Sequence, residues 1–507
     1  MGTDTGPLEP LPINADTISI DGLSRRQRQC LLMIFAGALR ASPEFGEPIL
    51  ADLAGYLDLP GADEMTSMAA PLLEHDIDIS PFVDDLELPA LSERARLVLI
   101  LLHFSLVRFK AYDSRIRVAM FALTDALHVA RTWLYNEESL YITLLLAEDT
   151  NPDATVKKRK QRLSKWLKVG AAAAVGTGLM VVTGGLAAPA IGAGISALGI
   201  TSVGAFLGTT TGAAILTGLF GVGGGGLASY KMHRRVGDLS NFDFRPICND
   251  GSIHVMITVS GILFGEHQSS LDVWGPLSAT IEATCADAFT LEWQTEAQID
   301  AGRCVSDFLT TQASGIVVQH ALQETILGGV AAAVAAPAAV LSTGGYLIDN
   351  PWGVLISKAD RAGDELGHVL LQRLHGGRPV VLVGFSAGAR VIVRALEHLH
   401  ANKGFGIVQD VYILGCPYWP SHGWSRVREI VAGRIVNAYS PDDWVMKVVY
   451  RAVTASFSVC ALGPTNCPGI EDINVSHIVT NHGHYIKKLP EVLGAVGLGP
   501  ASPTANT

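Results

Sequence analysis

Ser386 stands at the centre of Gly384-Phe385-Ser386-Ala387-Gly388, a G-x-S-x-G pentapeptide. A serine hydroxyl is a poor nucleophile until a histidine takes its proton. That histidine in turn needs a carboxylate to orient it and to stabilise its charge. Where such a serine sits on a strand-to-helix turn, the carboxylate follows it in the chain and the histidine comes last. Both residue types follow here. IVNAYSPDDWV carries Asp442 and Asp443, and NVSHIVTNHGHY carries His477, His482 and His484. Asp443, beside Trp444, is the expected acid, with Asp442 as the alternative. Position alone leaves the three histidines open. His482-x-His484 has no third ligand at a recognisable spacing, so no metal site is expected. No cofactor is expected either: Gly192-x-Gly194 does not follow a strand pattern, and no G-x-x-x-x-G-K occurs.

Chemistry at Ser386 needs elements that hold it. A short, largely β-branched run, Val380 to Val383, leads into the pentapeptide, and apolar residues at Val391, Ile392, Ala395, Leu396 and Leu399 follow at helical spacing. This is a strand, a sharp turn and a helix. Gly384 and Gly388 relieve crowding at the turn, and the N–H of Ala387 is left free to face an oxyanion. A second donor is expected from the loop after HVMITVSG, where Ile262 is the first choice and Leu263 the second.

The wider pattern fits. From about residue 237 to 495 near-continuous apolar strands (HVMITVSG, FTLEW, PVVLVGFS, VQDVYILG, GRIVNAYS and Asp472 to Val475) alternate with helix-like segments, among them one around Leu277 to Ala286. That alternation predicts an α/β fold, a mostly parallel sheet covered by helices. An uncharged stretch, Thr325 to Ile348, would pack over the sheet or act as a lid. Residues 1–150 read as a helical domain, with amphipathic stripes in LSRRQRQCLLMIFAGALR, RARLVLILLHFSLVRFKAY, RIRVAMFALTDALHVARTWL and SLYITLLLAED. Leu97 to Val107 is nearly all apolar but too short to span a bilayer, which predicts a buried helix. Residues 496–507 read as a flexible tail.

The segment 151–236 is the most unusual. KKRKQRLSKWLK (Lys157 to Lys168) precedes a run from Val169 to Tyr230 without a single Asp, Glu, Lys or Arg. Two spans of about 20 residues would fit, with small residues allowing close helix approach and basic flanks placing both ends in the cytoplasm. A Gly/Ala-rich helical hairpin packed in a soluble fold is the alternative. Under either reading the basic stretch favours an anionic lipid surface.

Composition narrows the function classes. Charged residues make up 17% of the 507, mean hydropathy is +0.31, and formal net charge is -11. Disorder over most of the length and nucleic-acid binding are both excluded as expectations. The N-terminus lacks a basic region followed by an apolar one, so no secretory signal is expected. Seven scattered cysteines without a C-x-x-C pair suit a reducing, intracellular setting, and Cys460 and Cys467 in one loop read as unpaired.

From about residue 110 to 490 the chain resembles the α/β-hydrolase family named after transmembrane and coiled-coil domain-containing protein four. The resemblance rests on Tyr112-Asp113-x-Arg115, the Gly/Ala-rich stretch after a basic segment, ITVSG, IDNPWGVLISKADRAG (Ile348 to Gly363), VGFSAGARVI, AYSPDDWV with Arg451, and His482-x-x-Tyr485. One position departs: Asn481 stands where the motif usually has Gly. The resemblance implies an α/β-hydrolase fold, Ser386, Asp443 and His482 as a catalytic triad, and a membrane-associated lipase or esterase on the cytoplasmic face. Two rivals are a non-catalytic membrane-binding or membrane-remodelling protein on a hydrolase scaffold, and a soluble small-ester hydrolase.

Overall fold

The computed structural model describes residues 11, 13, 15–146, 210–220, 227, 241–249, 251–264, 269–282, 284, 286–314, 351–420, 423–443, 445–447 and 459–498. The chain forms two compact units. One takes in Met1–Gly226, Asp250–Val255 and Arg373–Pro379, and the other Leu227–Asn249, Met256–Gln372 and Val380–Thr507.

The first unit is helical. Its main helices are Arg25–Ala38, Pro43–Tyr56, Ala62–Glu74, Leu91–Phe109, Ser114–Ala126 and Arg131–Leu146, joined by Thr210–Phe220. Ser24 starts the first of these with a capping box: its hydroxyl accepts from Gln27 N–H while the Gln27 side chain accepts from Ser24 N–H. Leu91–Phe109 buries every residue from Leu97 to Leu106, as its apolar run predicts. The segment RIRVAMFALTDALHVARTWL is not one helix. It closes at Ala126 and restarts at Arg131, with His128 in the left-handed region at φ 55°. Val129 N–H returns to the Thr124 carbonyl, and Arg94 donates to the freed Leu127 carbonyl. These bonds satisfy groups that a helix end leaves orphaned. A buried ion pair, Arg117 to Glu138 at 2.7 Å, receives the Tyr112 hydroxyl on the same carboxylate.

The second unit is built on a mixed seven-stranded sheet. Its strands are β1 (Phe242–Cys248), β2 (Val255–Val259), β3 (Asp287–Trp293), β4 (Val380–Phe385), β5 (Val408–Leu414), β6 (Ile435–Tyr439) and β7 (Glu471–Asn474), in spatial order β1-β3-β2-β4-β5-β6-β7. The pairs β4–β5, β5–β6 and β6–β7 are parallel, and β1–β3 is antiparallel. Side chains of β4 alternate between two covered faces, which is why the strand is apolar throughout. Val381, Val383 and Phe385 join a core with Trp274, Tyr485, Leu489 and Leu493. On the other face the helix Ala387–Ala401 packs on Pro351–Leu371 at close range. A Cβ on Gly363 would lie 2.4 Å from the Arg394 Cβ and 2.7 Å from the Val391 carbonyl oxygen, so glycine sets the helix separation.

β1 escaped the sequence reading because its run, FDFRPIC, is half polar and contains Pro246. It is an edge strand, where a missing N–H is tolerated, and its register shifts beside that proline. The helix expected around Leu277 to Ala286 is two short turns, Gly275–Leu277 and Ser278–Glu282. Lys157 to Lys168, Thr325 to Ile348, residues 499–507 and the uncharged stretch apart from 210–220 and 227 lie outside the described residues. Among the described residues no helix is long and apolar enough to cross a membrane.

Two buried titratable groups of the helical unit yield a pH prediction. Burial pushes the Glu137 carboxyl up to about 8, although Oε1 accepts from Leu11 N–H at 3.0 Å. Burial holds the His103 imidazole down to about 4. An unfolded glutamate titrates near 4.3, so the folded chain keeps a proton that the unfolded chain has lost. Glu137 therefore stabilises at low pH and loses that contribution as pH rises towards 8. His103 acts oppositely, losing stability as pH falls from about 6.5 to 4. Between pH 6.5 and 8.5 the Glu137 effect is isolated from that of His103. Glu137→Gln should be more stable than wild type at pH 8.5, by roughly 1–3 kcal/mol, with the gap narrowing at pH 6.5. Thermal denaturation at the two pH values checks this; an equal gap at both contradicts it.

Candidate active site

Strand β4 ends at Phe385, and the chain reverses at Ser386 with φ 55° and ψ -133° before the helix Ala387–Ala401 begins. A non-glycine residue with positive φ is strained, and the surroundings hold it there. Ser386 N–H donates to the Leu414 carbonyl at the end of β5, while its own carbonyl accepts from Ala389 and Arg390 in the first turn of the helix. Glycines let the neighbouring main chain close in. A Cβ on Gly388 would fall 2.3 Å from the Val259 carbonyl oxygen, one on Gly384 would fall 2.7 Å from Ile392 Cδ1, and one on Gly261 would fall 2.5 Å from Ser386 Cβ.

Three expected side chains meet. His482 Nε2 lies 2.6 Å from Ser386 Oγ, and His482 Nδ1 lies 2.6 Å from Asp443 Oδ2. With the carboxylate accepting at Nδ1–H, Nε2 is the acceptor for the serine hydroxyl. All three side chains are buried, Asp443 completely. The other Asp443 oxygen accepts from Met446 N–H at 3.2 Å. This hydrogen-bonded series has the geometry for general-base activation of a hydroxyl.

The alternatives separate by position. Asp442 is exposed, and its N–H donates to Ser440 Oγ. His477 is exposed. His484 is held within its own loop: Nδ1 lies 3.2 Å from Thr480 Oγ1, and Nε2 lies 3.0 Å from Asn481 Nδ2. Asn481 thus spends its side chain on His484. Among the described residues no cluster of three His, Cys, Asp or Glu forms that would hold a metal ion.

The loop after β2 presses on the elbow through Gly261. Leu263 N–H is already taken by the Gln298 carbonyl at 3.3 Å, whereas no acceptor receives Ile262 N–H among the described residues. As the first helical residue, Ala387 has no intrahelical partner for its N–H. Trp274 and Trp293 brace the loop by donating to the hydroxyl and the carbonyl of Ser260 at 3.0 and 2.9 Å.

Trp352 and Tyr485 enter the sequence reading only as motif residues, and it assigns no role to the supports around the site. Trp352 and Tyr485 set ring edges against His482, at centroid separations of 6.3 and 5.7 Å. Tyr485 also fills the space above Gly415 at φ +59°, where a Cβ would sit 2.4 Å from its ring. Ser440 ties the Asp443 loop to the His482 loop by donating to the Val479 carbonyl at 2.6 Å. Arg390 forks onto Asp360 at 2.7 and 2.8 Å and donates to the Pro417 carbonyl, so the helix carrying the elbow is anchored beyond its first turn. Cys460 donates to the Cys416 carbonyl and is a free thiol, as is Cys467. Neither Ser440 nor Gln298 could have been singled out, because each acts through a distant backbone carbonyl or amide.

Residues 159–499 match a family model described as Protein of unknown function (DUF726). The chain belongs to this family. Several curated proteins are similar along much of its length. An uncharacterized membrane protein of Caenorhabditis elegans is 36% identical over 407 residues, covering 77% of this chain and 65% of that protein. A transmembrane and coiled-coil domain-containing protein, STS1, of Oryza sativa subsp. japonica is 33% identical over 410 residues, 76% of this chain and 61% of that protein. The probable lipase MIL1 of Saccharomyces cerevisiae is 35% identical over 312 residues, 60% of this chain and 28% of that protein. The chain therefore spans less than two thirds of each of these relatives. No solved structure matches it.

The Ser440 tie can be tested without reference to activity. Ser440→Ala removes the donor to the buried Val479 carbonyl and the acceptor for Asp442 N–H. Urea denaturation should show a loss of about 1–3 kcal/mol, the cost of leaving a buried polar group unpaired. A loss below about 0.5 kcal/mol would mean that the two loops are held by other contacts.

Proposed function

We propose that this chain is a serine ester hydrolase of the α/β-hydrolase type, acting on lipid esters at a membrane surface. The observation that carries the chemistry is the series Ser386 Oγ, His482 and Asp443, with both links at 2.6 Å, on a sharp strand-to-helix turn. Ser386 Oγ attacks the ester carbonyl while His482 Nε2 takes its proton, and Asp443 holds the imidazole and offsets its charge. The oxyanion that forms is held by the N–H groups of Ala387 and Ile262. His482 then gives the proton to the departing alcohol, which leaves an acyl group on Ser386. Water attacks that ester with His482 again as base, and the free acid departs.

The lipid assignment has separate support. One relative is named a probable lipase, and others are named membrane proteins. The basic stretch Lys157 to Lys168 carries the charge to meet an anionic lipid surface, and the uncharged run that follows has the composition to enter it. On this reading the protein works inside the cell, bound to the cytoplasmic face of a membrane.

The deciding experiment pairs fluorophosphonate labelling with a lipid-class hydrolysis panel. Wild type should label and hydrolyse at least one lipid ester, and Ser386→Ala should do neither. Asp443→Asn should lower kcat by roughly 10³-fold or more, by analogy with other serine hydrolases, whereas Asp442→Asn should stay within a few-fold of wild type. Hydrolysis by Ser386→Ala at the wild-type rate would remove Ser386 from the mechanism.

A further inference from the structure

Tyr112-Asp113-x-Arg115 takes no part in the chemistry at Ser386, yet the helical unit is built closely around it. Asp113 caps the helix Ser114–Ala126 by accepting from Arg115 N–H at 2.8 Å. The same carboxylate is gripped by the Arg115 guanidinium through both oxygens, at 3.0 and 2.8 Å. That guanidinium in turn lies 3.4 Å from the centre of the Phe45 ring. Tyr112 N–H donates to the Gly377 carbonyl, and Gly377 N–H donates to the Gly218 carbonyl, both at 2.7 Å. Three stretches of main chain therefore converge here, and glycine is what allows it. A Cβ on Gly218 would fall 1.6 Å from the Lys110 carbonyl oxygen, and one on Gly376 would fall 1.9 Å from that of Leu219.

Beside this junction is a cavity of about 330 Å³. Phe45, Phe109 and Ala111 give it apolar walls, and Asp113 and Arg373 are the charged residues of its lining. The size is near the bottom of the ~300–1,000 Å³ range of small-molecule pockets. Arg373 is the unusual member. It holds a strained left-handed backbone at φ 54° and is only partly exposed. Among the described residues its guanidinium makes no hydrogen bond and no ion pair. Asp113 is near enough to act on it through space, and burial works against its charge. The two oxygens of Asp113 already belong to Arg115. Of the other cations nearby, Arg108 pairs with Asp52 at 2.9 Å, Arg378 donates to the carbonyls of His375 and Ser252, and Lys110, between Phe109 and Ala111 in the chain, is exposed to solvent. Burial and the two flanking arginines keep His375 neutral. Asp113, Arg115 and Arg373 together carry one net positive charge beside an apolar hollow.

We propose that this cavity binds the carboxylate of a small apolar-tailed acid, a medium-chain fatty acid, with Arg373 taking the carboxylate and Phe45 and Phe109 the chain. A guanidinium fork matches the two oxygens of a carboxylate. A single net charge suits a monoanion, since the second charge of a phosphate would be set against Asp113. The modest volume selects a medium chain over a long one. This site is independent of ester hydrolysis and stands or falls without it.

Calorimetric titration of the full chain with decanoate, 1-decanol and inorganic phosphate tests the assignment. Decanoate should bind with one site per chain, 1-decanol at least tenfold more weakly, and phosphate without saturation. Arg373→Met, which keeps bulk and removes charge, should weaken decanoate at least tenfold, while Arg373→Lys should recover part of the loss. Ala111→Phe, which fills the hollow and keeps the charge, should abolish binding, with thermal melting confirming that each variant folds. If Ala111→Phe does not fold, the contrast between Met and Lys at position 373 decides. Decanoate binding that is absent in wild type, that is unchanged in Arg373→Met, or that phosphate displaces, would overturn the proposal.

Discussion

The second unit is organised around a steric limit at one corner, where three main-chain segments reach van der Waals contact around Ser386. The ends of β2 and β4 and the first turn of the helix Ala387–Ala401 approach so closely that Gly261, Gly384 and Gly388 have no room for a methyl group. Because the corner is that tight, the left-handed backbone of Ser386 has no relaxed alternative. The Ala387 N–H and the Ile262 N–H are directed by main chain, with no reliance on flexible side chains. The helix is fixed further along by the Asp360–Arg390 fork and the glycine contact at Gly363. Positioning by backbone is the most economical form of preorganisation, since no rotamer freedom is lost when a reaction begins.

Asp443 and His482 come from two separate loops, and their geometry depends on how those loops are joined. Ser440 bridges them through the Val479 carbonyl, and Tyr485 wedges between His482 and Gly415. A fully buried carboxylate is costly unless it is paired and hydrogen-bonded. Asp443 meets that condition with the imidazole on one oxygen and Met446 N–H on the other. The pairing serves the packing as much as the chemistry.

Much of this was legible in the chain. The strand VVLVGF, the turn and its helix were visible because apolar runs and glycine positions follow directly from burial and from close packing. The order of Ser386, the two aspartates and the histidines was equally plain. The choice between Asp442 and Asp443 was made on position beside Trp444. Depth gives it a physical basis: the two are adjacent in sequence, yet one is exposed and the other buried against the ring of His482. β1 was missed because an edge strand with Pro246 carries no apolar run, and the break at His128 because local backbone bonds there outweigh a helical pattern. Leu263 lost its candidacy to Gln298, whose carbonyl arrives from a helix with no sequence mark of its role.

The crowding at Gly261, Gly384, Gly388 and Gly415 also shapes how a chain of this design can diverge. Substitution there can only add atoms, and the corner has no space to accept them, so drift at these positions is closed off in every direction. Variation is then left to positions away from this corner. Chains sharing this corner keep its backbone geometry while the rest of their surface is free to change.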